Sequence, residues 1–337
     1  MNFKSILAMV RTPHLAVQGQ LRNDLQAYVR VNFLYAAFEA GLLAALKTPL
    51  TLSELVSQLQ PKQPELLESL LRVGVMLGEV AQENERYSLR GNRSRALVAD
   101  DGDAIAAFVQ EYVSYHGSVY RHLPERLQTG ELGNYLQGTG NLIARSSRLL
   151  ESFVAVFVQE VIRAAQPKRM LEIGCGSGVY LHYAVQASPL LTGIAIDMQA
   201  DVIEQTKRNL QQWGVDNRFE LMVANVLNPP ANIAGPFDLV TLYNNIYYFP
   251  VAERVPLFKK IRAWLKPGGA FALVTLMRGN NVDSANFDLI LQSTQGCYAL
   301  PTLDELTAQL RESGFSVDMQ AQLVPMELYY GVLGKLV

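Results

Sequence analysis

The sequence predicts an α/β protein: a seven-stranded, mainly parallel sheet with crossover helices, preceded by an all-helical half. Two textures meet near residues 166–168. Before that point apolar residues recur at helical spacing; after it short β-rich runs alternate with helical ones, the pattern of a parallel sheet with crossover helices. The third observation is a glycine-rich stretch, Leu171-Glu-Ile-Gly-Cys-Gly-Ser-Gly178, standing where the first β run gives way to a helix.

Strands are expected at 169–173, 191–196, 219–223, 237–242 and 270–275, with helices near 179–186, 200–213 and 251–265 between them. Gly214 closes the second of these helices, and Pro267-Gly268-Gly269 makes the turn that feeds the fifth strand. A last helix at 303–313, stopped by Gly314, leads to strands at 316–323 and 328–335, which complete the sheet as an antiparallel edge.

In the N-terminal half, Thr51-Leu-Ser-Glu54 has the spacing of a capping box and opens a short helix. A second helix runs from Pro64 to about Leu77, and 80–89 reads as a hairpin turning at Glu83-Asn84-Glu85. Helix, helix, hairpin is a winged-helix arrangement, whose ordinary use is DNA binding. Here Lys62 and Arg72 stand against Glu65, Glu68 and Glu79, the wrong sign for phosphate contact. Leu43, Leu46, Leu66, Leu70 and Leu71 are therefore read as core or dimer packing. An apolar helix over 31–46, interrupted by Asn32 and Glu39, suits burial or dimerisation better than a membrane span. Helices across 103–165 bridge the halves, which sets domain boundaries at 1–102, 103–165 and 166–337.

Composition narrows the function. A chain of 337 residues, 49% hydrophobic and 18% charged, folds without covalent staples, and a net charge of −2 creates no field that attracts nucleic acid or an anionic membrane. The two cysteines, Cys175 and Cys297, do not suggest a disulfide framework, the first lying inside the glycine loop. Lys4 is followed by an apolar run, 6–10, too brief for a signal-peptide core, so cytoplasmic residence is expected.

Glycines at Gly174, Gly176 and Gly178 let backbone pass close to a ligand with no Cβ in the way, and the helix that follows offers free N–H groups. Dinucleotide-binding folds use the same device, but their third glycine falls one position later, where this chain has Val179. Glu172, inside the strand, has no use at a pyrophosphate site and suits a ligand ammonium. Asp197 ends the second strand at the distance expected for a carboxylate gripping ribose hydroxyls, with a helix N-cap as its other reading. Met198 beside it can pack on an adenine face. Asn225, followed by Val226 after the third strand, offers a donor and an acceptor to an adenine edge, or is a plain loop residue.

The glycine loop, the acid after the second strand, Phe237-Asp-Leu-Val and Leu265-Lys-Pro-Gly-Gly-Ala-Phe together resemble class I S-adenosylmethionine (SAM) methyltransferases, which have a Rossmann-like fold. With the N-terminal half included, the chain from about Leu21 onward resembles the dimeric small-molecule O-methyltransferases. The resemblance implies that Glu172, Gly174, Gly176, Gly178, Asp197, Met198, Asn225, Val226 and Tyr243 hold SAM. It also implies a homodimer through the N-terminal half, and a small-molecule substrate with neither nucleic acid nor membrane as partner.

In the resembled family a catalytic His follows the fourth strand. This chain has Tyr243-Asn-Asn-Ile-Tyr-Tyr-Phe-Pro250 there, with Tyr248 at the His position. A phenol of ordinary pKa near ~10 is a poor base at neutral pH but a good ring for a cation. Tyr247 and Tyr248 thus point to a nucleophile needing little base help: a thioether sulfur, an amine or an electron-rich carbon. The other reading makes Tyr243, Tyr247, Tyr248 and Phe249 core rings.

A second cluster, Tyr112, Tyr115, His116, Tyr120 and His122, lies in the linking helices. The resemblance sets it beside the substrate, where His116 or His122 can replace the missing base for a phenol or hydroxy acid. Arg278 can pair with a substrate carboxylate. No metal is expected, since no cluster has ligand spacing. Two further readings stay open: a nicotinamide-dependent oxidoreductase and a winged-helix regulator that senses SAM.

Overall fold

The computed structural model describes residues 13–230, 233 and 235–337. The apolar run at 6–10 lies outside them. The chain forms two compact units: one reaches to Ser118 and takes in Asn141–Ser147, the other comprises Val119–Gly140 and Arg148–Val337.

The first unit opens with α1 (Leu15–Glu39) and the single turn α2 (Leu42–Ala45). The one helix expected over 31–46 is therefore two. Gly41 separates them at φ +71°, a left-handed conformation that glycine adopts at little cost. Phe33, Leu34 and Ala37 of α1 are buried with Leu42, Leu43 and Leu46.

After β1 (Leu50–Thr51), the capping box at the start of α3 (Leu52–Leu59) forms as expected: the Glu54 N–H donates to Thr51 Oγ1 at 3.2 Å, and Thr51 N–H donates to Glu54 Oε2 at 2.7 Å. Next come α4 (Pro64–Leu77), β2 (Val80–Glu83) and β3 (Arg86–Leu89). Asn84 and Glu85 both have positive φ, as a two-residue hairpin turn needs, and β1 completes a small sheet in the order β1-β3-β2.

Leu71 is core and Leu66 is exposed. One detail departs from the sequence reading, which set Glu79 among the charges facing solvent: Glu79 does not face solvent. It is 1% exposed, and its carboxylate takes Arg93 at 3.2 Å, Arg30 at 3.5 Å and the Ser94 N–H. A buried carboxylate needs such partners.

Helix α5 (Asn92–Leu97) and α6 (Asp103–Gln110) follow, and α6 passes into a π-helical turn at Glu111–His116 before α7 (Gly117–Thr129) and α8 (Gly140–Ser146). The π turn inserts an extra residue that re-aims Glu111 and His116, both of which become buried.

In the second unit α9 (Glu151–Ala165) leads into β4 (Arg169–Ile173), α10 (Val179–Ala187), β5 (Thr192–Asp197), α11 (Ala200–Gln212) and β6 (Phe219–Val223). Then come β7 (Phe237–Tyr243), α12 (Arg254–Trp264), β8 (Leu265–Leu276), α13 (Val282–Gln292), α14 (Leu303–Glu312), β9 (Phe315–Gln322) and β10 (Tyr329–Leu336). Only β8 begins well before its expected start, because the Pro-Gly-Gly turn lies within the strand beside a register shift opposite Phe237 and Leu239.

The sheet order is β6-β5-β4-β7-β8-β10-β9, parallel except where β10 pairs antiparallel with β8 and β9. The chain winds outward from β4 to β6 and returns to lay β7 on the other side of β4. Strand order reverses there, and a crevice opens beyond the carboxyl end of β4.

Alternate residues of each strand feed two cores. Met170, Leu239, Tyr243, Ala270, Ala272 and Val274 lie on one face with Phe157 of α9. Gly331 of β10 makes that possible, since a Cβ there would stand 2.6 Å from the Phe157 ring. Leu171, Ile173, Val240, Phe271 and Leu273 pack on the opposite face, where Phe258, Phe271 and Phe315 form a chain of rings with centroids 5.3 and 5.7 Å apart.

Candidate active site

The crevice is built by backbone first. Beyond β4 the loop folds back on β5: Gly174 N–H and Cys175 N–H both donate to Ile196 O, at 2.8 and 3.0 Å. From α11, Thr206 Oγ1 donates to Gly176 O and Asn209 Nδ2 to Ser177 O. Gly174 and Gly176 are left-handed, with φ +70° and +54°. At Gly176 a Cβ would meet nothing within 4 Å, so this stretch of backbone borders open space that a ligand can occupy.

Asp197, at the end of β5, faces this loop. Its Oδ2 accepts the Gly176 N–H at 3.3 Å and its Oδ1 the Gln199 N–H at 3.1 Å. The N-cap of α11 is Gln199, so the helix-cap alternative for Asp197 does not hold.

Glu172 stands on the Met170 face of β4, 1% exposed, with Oε2 lacking a hydrogen-bond partner. Burial pushes its carboxyl up to about 8. Around it lie Cys175, Tyr180 and Tyr243, whose thiol and phenols are likewise raised, first by burial, then by the Glu172 charge for Cys175 and Tyr243 and by the Glu151 and Glu172 charges for Tyr180. Tyr243 packs edge-on against Tyr180, centroids 5.4 Å apart.

Sequence reasoning missed the residues that finish this pocket. Asn244 takes φ +57°, accepts the Tyr329 hydroxyl at 2.7 Å and donates to the Tyr180 oxygen at 3.5 Å. Asn245 Nδ2 donates to Ile173 O at 2.7 Å, and Asn245 Oδ1 is buried without a partner. The available signal was the Asn-Asn pair itself, since asparagine enters the left-handed region more readily than other side-chain-bearing residues.

Met198 is 67% exposed at the crevice end of β5. Asn225 is exposed and its Oδ1 caps the Leu227 N–H at 2.9 Å. Val226 is core, so only its backbone is available to a ligand.

Tyr247 and Tyr248 lie on a 3-10 turn, with ring centroids 4.8 Å apart, and Phe287 of α13 meets Tyr247 edge-on at 5.6 Å. Tyr248 is 40% exposed, whereas Phe249 is core. A strap over residues 293–301 closes against this group: Tyr298 N–H donates to Tyr247 O, Leu300 N–H to Asp288, and buried Arg254 to Ala299 O. Arg278 is already matched by Glu305 at 2.6 Å, and Tyr120 donates to Asn286 at 2.9 Å.

Tyr112, Tyr115 and His116 belong to the first unit, where both tyrosine rings contact the imidazole, 4.5 and 5.2 Å between centroids. His116 Nε2 lies 3.5 Å from Glu111 Oε1, and Ser146 donates to the same carboxylate. His122 lies in the second unit and is exposed. Among the described residues no group of three or more His, Cys, Asp or Glu side chains is arranged to hold a metal.

The second unit therefore gathers two carboxylates, a glycine loop open at Gly176 and orphaned buried acceptors, Glu172 Oε2 and Asn245 Oδ1, at one end of β4. That donor and acceptor set fits a nucleoside carrying an ammonium group. Residues 170–269 match the family model described as Methyltransferase domain. An rRNA N(6)-adenosine-methyltransferase of Caenorhabditis elegans is 30% identical over 100 residues, 29% of this chain and 46% of that protein; the chain spans about half the length of the curated relatives it matches.

Among solved structures, mitomycin 7-O-methyltransferase aligns over 96% of this chain and 98% of its own, at 18% identity and TM-score 0.79. Human N-acetylserotonin methyltransferase, in complex with SAM, aligns over 95% and 97%, at 15% identity and TM-score 0.74. Residues 170–269 are thus a methyltransferase domain, carried in a chain that has the Rossmann-like fold of the SAM-dependent O-methyltransferases.

Proposed function

We propose that this protein is a SAM-dependent methyltransferase acting on a small molecule. The carrying observation is Glu172, wholly buried and with Oε2 unpaired, beside a glycine loop that is open at Gly176 and faces Asp197. When bound, SAM supplies an activated methyl group on sulfur. Glu172 and Asn245 hold its amino-acid end, Asp197 grips the ribose hydroxyls, and Met198 with Asn225 borders the adenine.

Calorimetric titration of SAM against a nicotinamide dinucleotide tests the reading. SAM heat without dinucleotide heat is expected, and the reverse would make the protein an oxidoreductase. DNA binding that weakens with salt would instead favour a SAM-sensing regulator.

On the acceptor side, Tyr247, Tyr248 and Phe287 offer rings and two phenol hydroxyls but no imidazole or carboxylate, which favours an acceptor needing little deprotonation: a thioether sulfur, an amine or an activated carbon. Tyr248→Phe is expected to keep turnover within about threefold, and Tyr248→Ala to lower kcat/KM about tenfold. Steady-state kinetics that leave both variants at wild-type rates would remove Tyr248 from the site.

A second reading is O-methylation of a phenol or hydroxy acid, with His116, which within its own unit lies 3.5 Å from Glu111, or the exposed His122 proposed as the proton acceptor.

We infer further that the protein is a homodimer through α1. Leu21, Leu25 and Tyr28 are exposed along one stripe at i, i+4 and i+7. Sedimentation is expected to give twice the 37.4 kDa chain mass, and Leu25→Glu half of that.

A further inference from the structure

This inference rests on the methyltransferase reading, with Asn225 at the adenine, and concerns what makes that end of the site selective. Ala224 N–H donates to Asp197 O at 2.8 Å, which sets Asn225 beside the end of β5. The turn that follows is pinned from two sides. Asn228 N–H closes it on Asn225 O at 3.0 Å, and Leu227 N–H donates to Asn225 Oδ1 at 2.9 Å. From α12, Lys260 Nζ donates to Leu227 O at 2.5 Å and to Val226 O at 3.5 Å. Lys260 is half-buried, and its helix is fixed against the turn because Leu257 and Ile261 share a core with Ala224 and Val226.

The carbonyl of Val226 and the N–H of Leu227 belong to one trans peptide unit and point opposite ways. An ammonium on the oxygen therefore aims the N–H at Asn225 and, by polarising the unit, makes it a stronger donor. An N–H needs an oxygen, so the Asn225 amide turns Oδ1 to the chain and Nδ2 away from it. A loose asparagine has no such constraint: half a rotation of its amide exchanges donor for acceptor.

That exchange separates two purines. Adenine shows an amine donor beside a ring-nitrogen acceptor; its oxo counterpart, hypoxanthine, shows an oxygen acceptor beside a ring N–H. With the amide held as it is here, Nδ2 donates to the ring nitrogen and the second lone pair of Oδ1 accepts the amine. Against hypoxanthine the same amide meets oxygen with oxygen and N–H with N–H.

We propose that Lys260 is a positioning residue that sets the base specificity of the cofactor site, by holding the Asn225 amide in the one orientation that pairs with adenine. Its ammonium acts through the Val226–Leu227 peptide and touches no cofactor atom.

The test is isothermal titration calorimetry with S-adenosylhomocysteine and its oxo counterpart, S-inosylhomocysteine, because the ratio of the two affinities cancels general damage to the site. Wild-type protein is expected to prefer S-adenosylhomocysteine about 100-fold. Lys260→Met keeps the aliphatic stem and removes the charge; it is expected to cut that ratio about tenfold, while Lys260→Arg keeps it. In an Asn225→Ala background, where no amide is left to hold, Lys260→Met is expected to leave the ratio unchanged.

A wild-type ratio near one, or a Lys260→Met variant that weakens both ligands equally, overturns the proposal. So does a Lys260→Met effect on the ratio that survives Asn225→Ala. If wild-type protein binds neither ligand, the methyltransferase reading itself is lost. Should Lys260→Met fail to fold, Lys260→Gln, which stays polar, takes its place with the same expectation.

Discussion

Asp197→Ala is expected to weaken S-adenosylhomocysteine binding at least about 100-fold while leaving the ligand-free protein folded. In the proposed role its carboxylate accepts two ribose hydroxyls, and hydrogen bonds to a charged group contribute about 1.5–3 kcal/mol each. In the ligand-free chain the same oxygens accept two backbone N–H groups, at 3.1 and 3.3 Å, so their loss costs the fold about 3 kcal/mol. Calorimetry and a thermal melt on the same sample separate the two quantities. A large drop in Tm with unchanged affinity would make Asp197 a structural residue of the loop.

Phe271→Ala should give the opposite pattern. Its ring is the middle member of the chain with Phe258 and Phe315, it is 1% exposed, and removing it leaves a cavity between Phe258 of α12 and Phe315 of β9. A loss of about 3–5 kcal/mol in unfolding free energy is expected from denaturant titration. Phe271 lies on the face of the sheet opposite Glu172, so affinity for S-adenosylhomocysteine at low temperature should stay within about threefold of wild type. A deficit in binding that persists in the folded fraction would show that the two cores are energetically coupled.

The parallel sheet was legible because its strands are short, apolar and punctuated by glycine and proline, and because the glycine loop marks where the first strand ends. Periodicity located β4, β6 and β7 closely for that reason. It failed at Gly41, where one left-handed residue divides an apolar run that reads as one helix. It also failed at Glu111–His116, whose composition contains no breaker: the extra residue of the π turn follows from burying a carboxylate and an imidazole, a demand of tertiary packing.

Glu79 misled in a related way. Charge counting assumes that acids lie in solvent, and this one is enclosed by Arg30, Arg93 and Ser94, partners that sequence distance hides. Of the proposed cofactor residues, Glu172 and Asp197 sit in recognisable runs of the sequence. Asn244, Asn245, Tyr180 and Tyr329 were not legible, since their value lies in contacts across as many as 85 residues.

The position of β10 has a consequence for the order in which the sheet can be assembled. It is synthesised after β9 yet it lies inside the sheet, between β8 and β9, and among the described residues β9 pairs with no other strand. A nascent chain that has produced everything up to β9 therefore holds an unpaired edge on β8 and a loose final hairpin arm. Tyr329 arrives on that same strand to fix Asn244 from behind. Synthesis from the N-terminus thus leaves the loop after β7 without its Tyr329 brace until β10 has been made and paired.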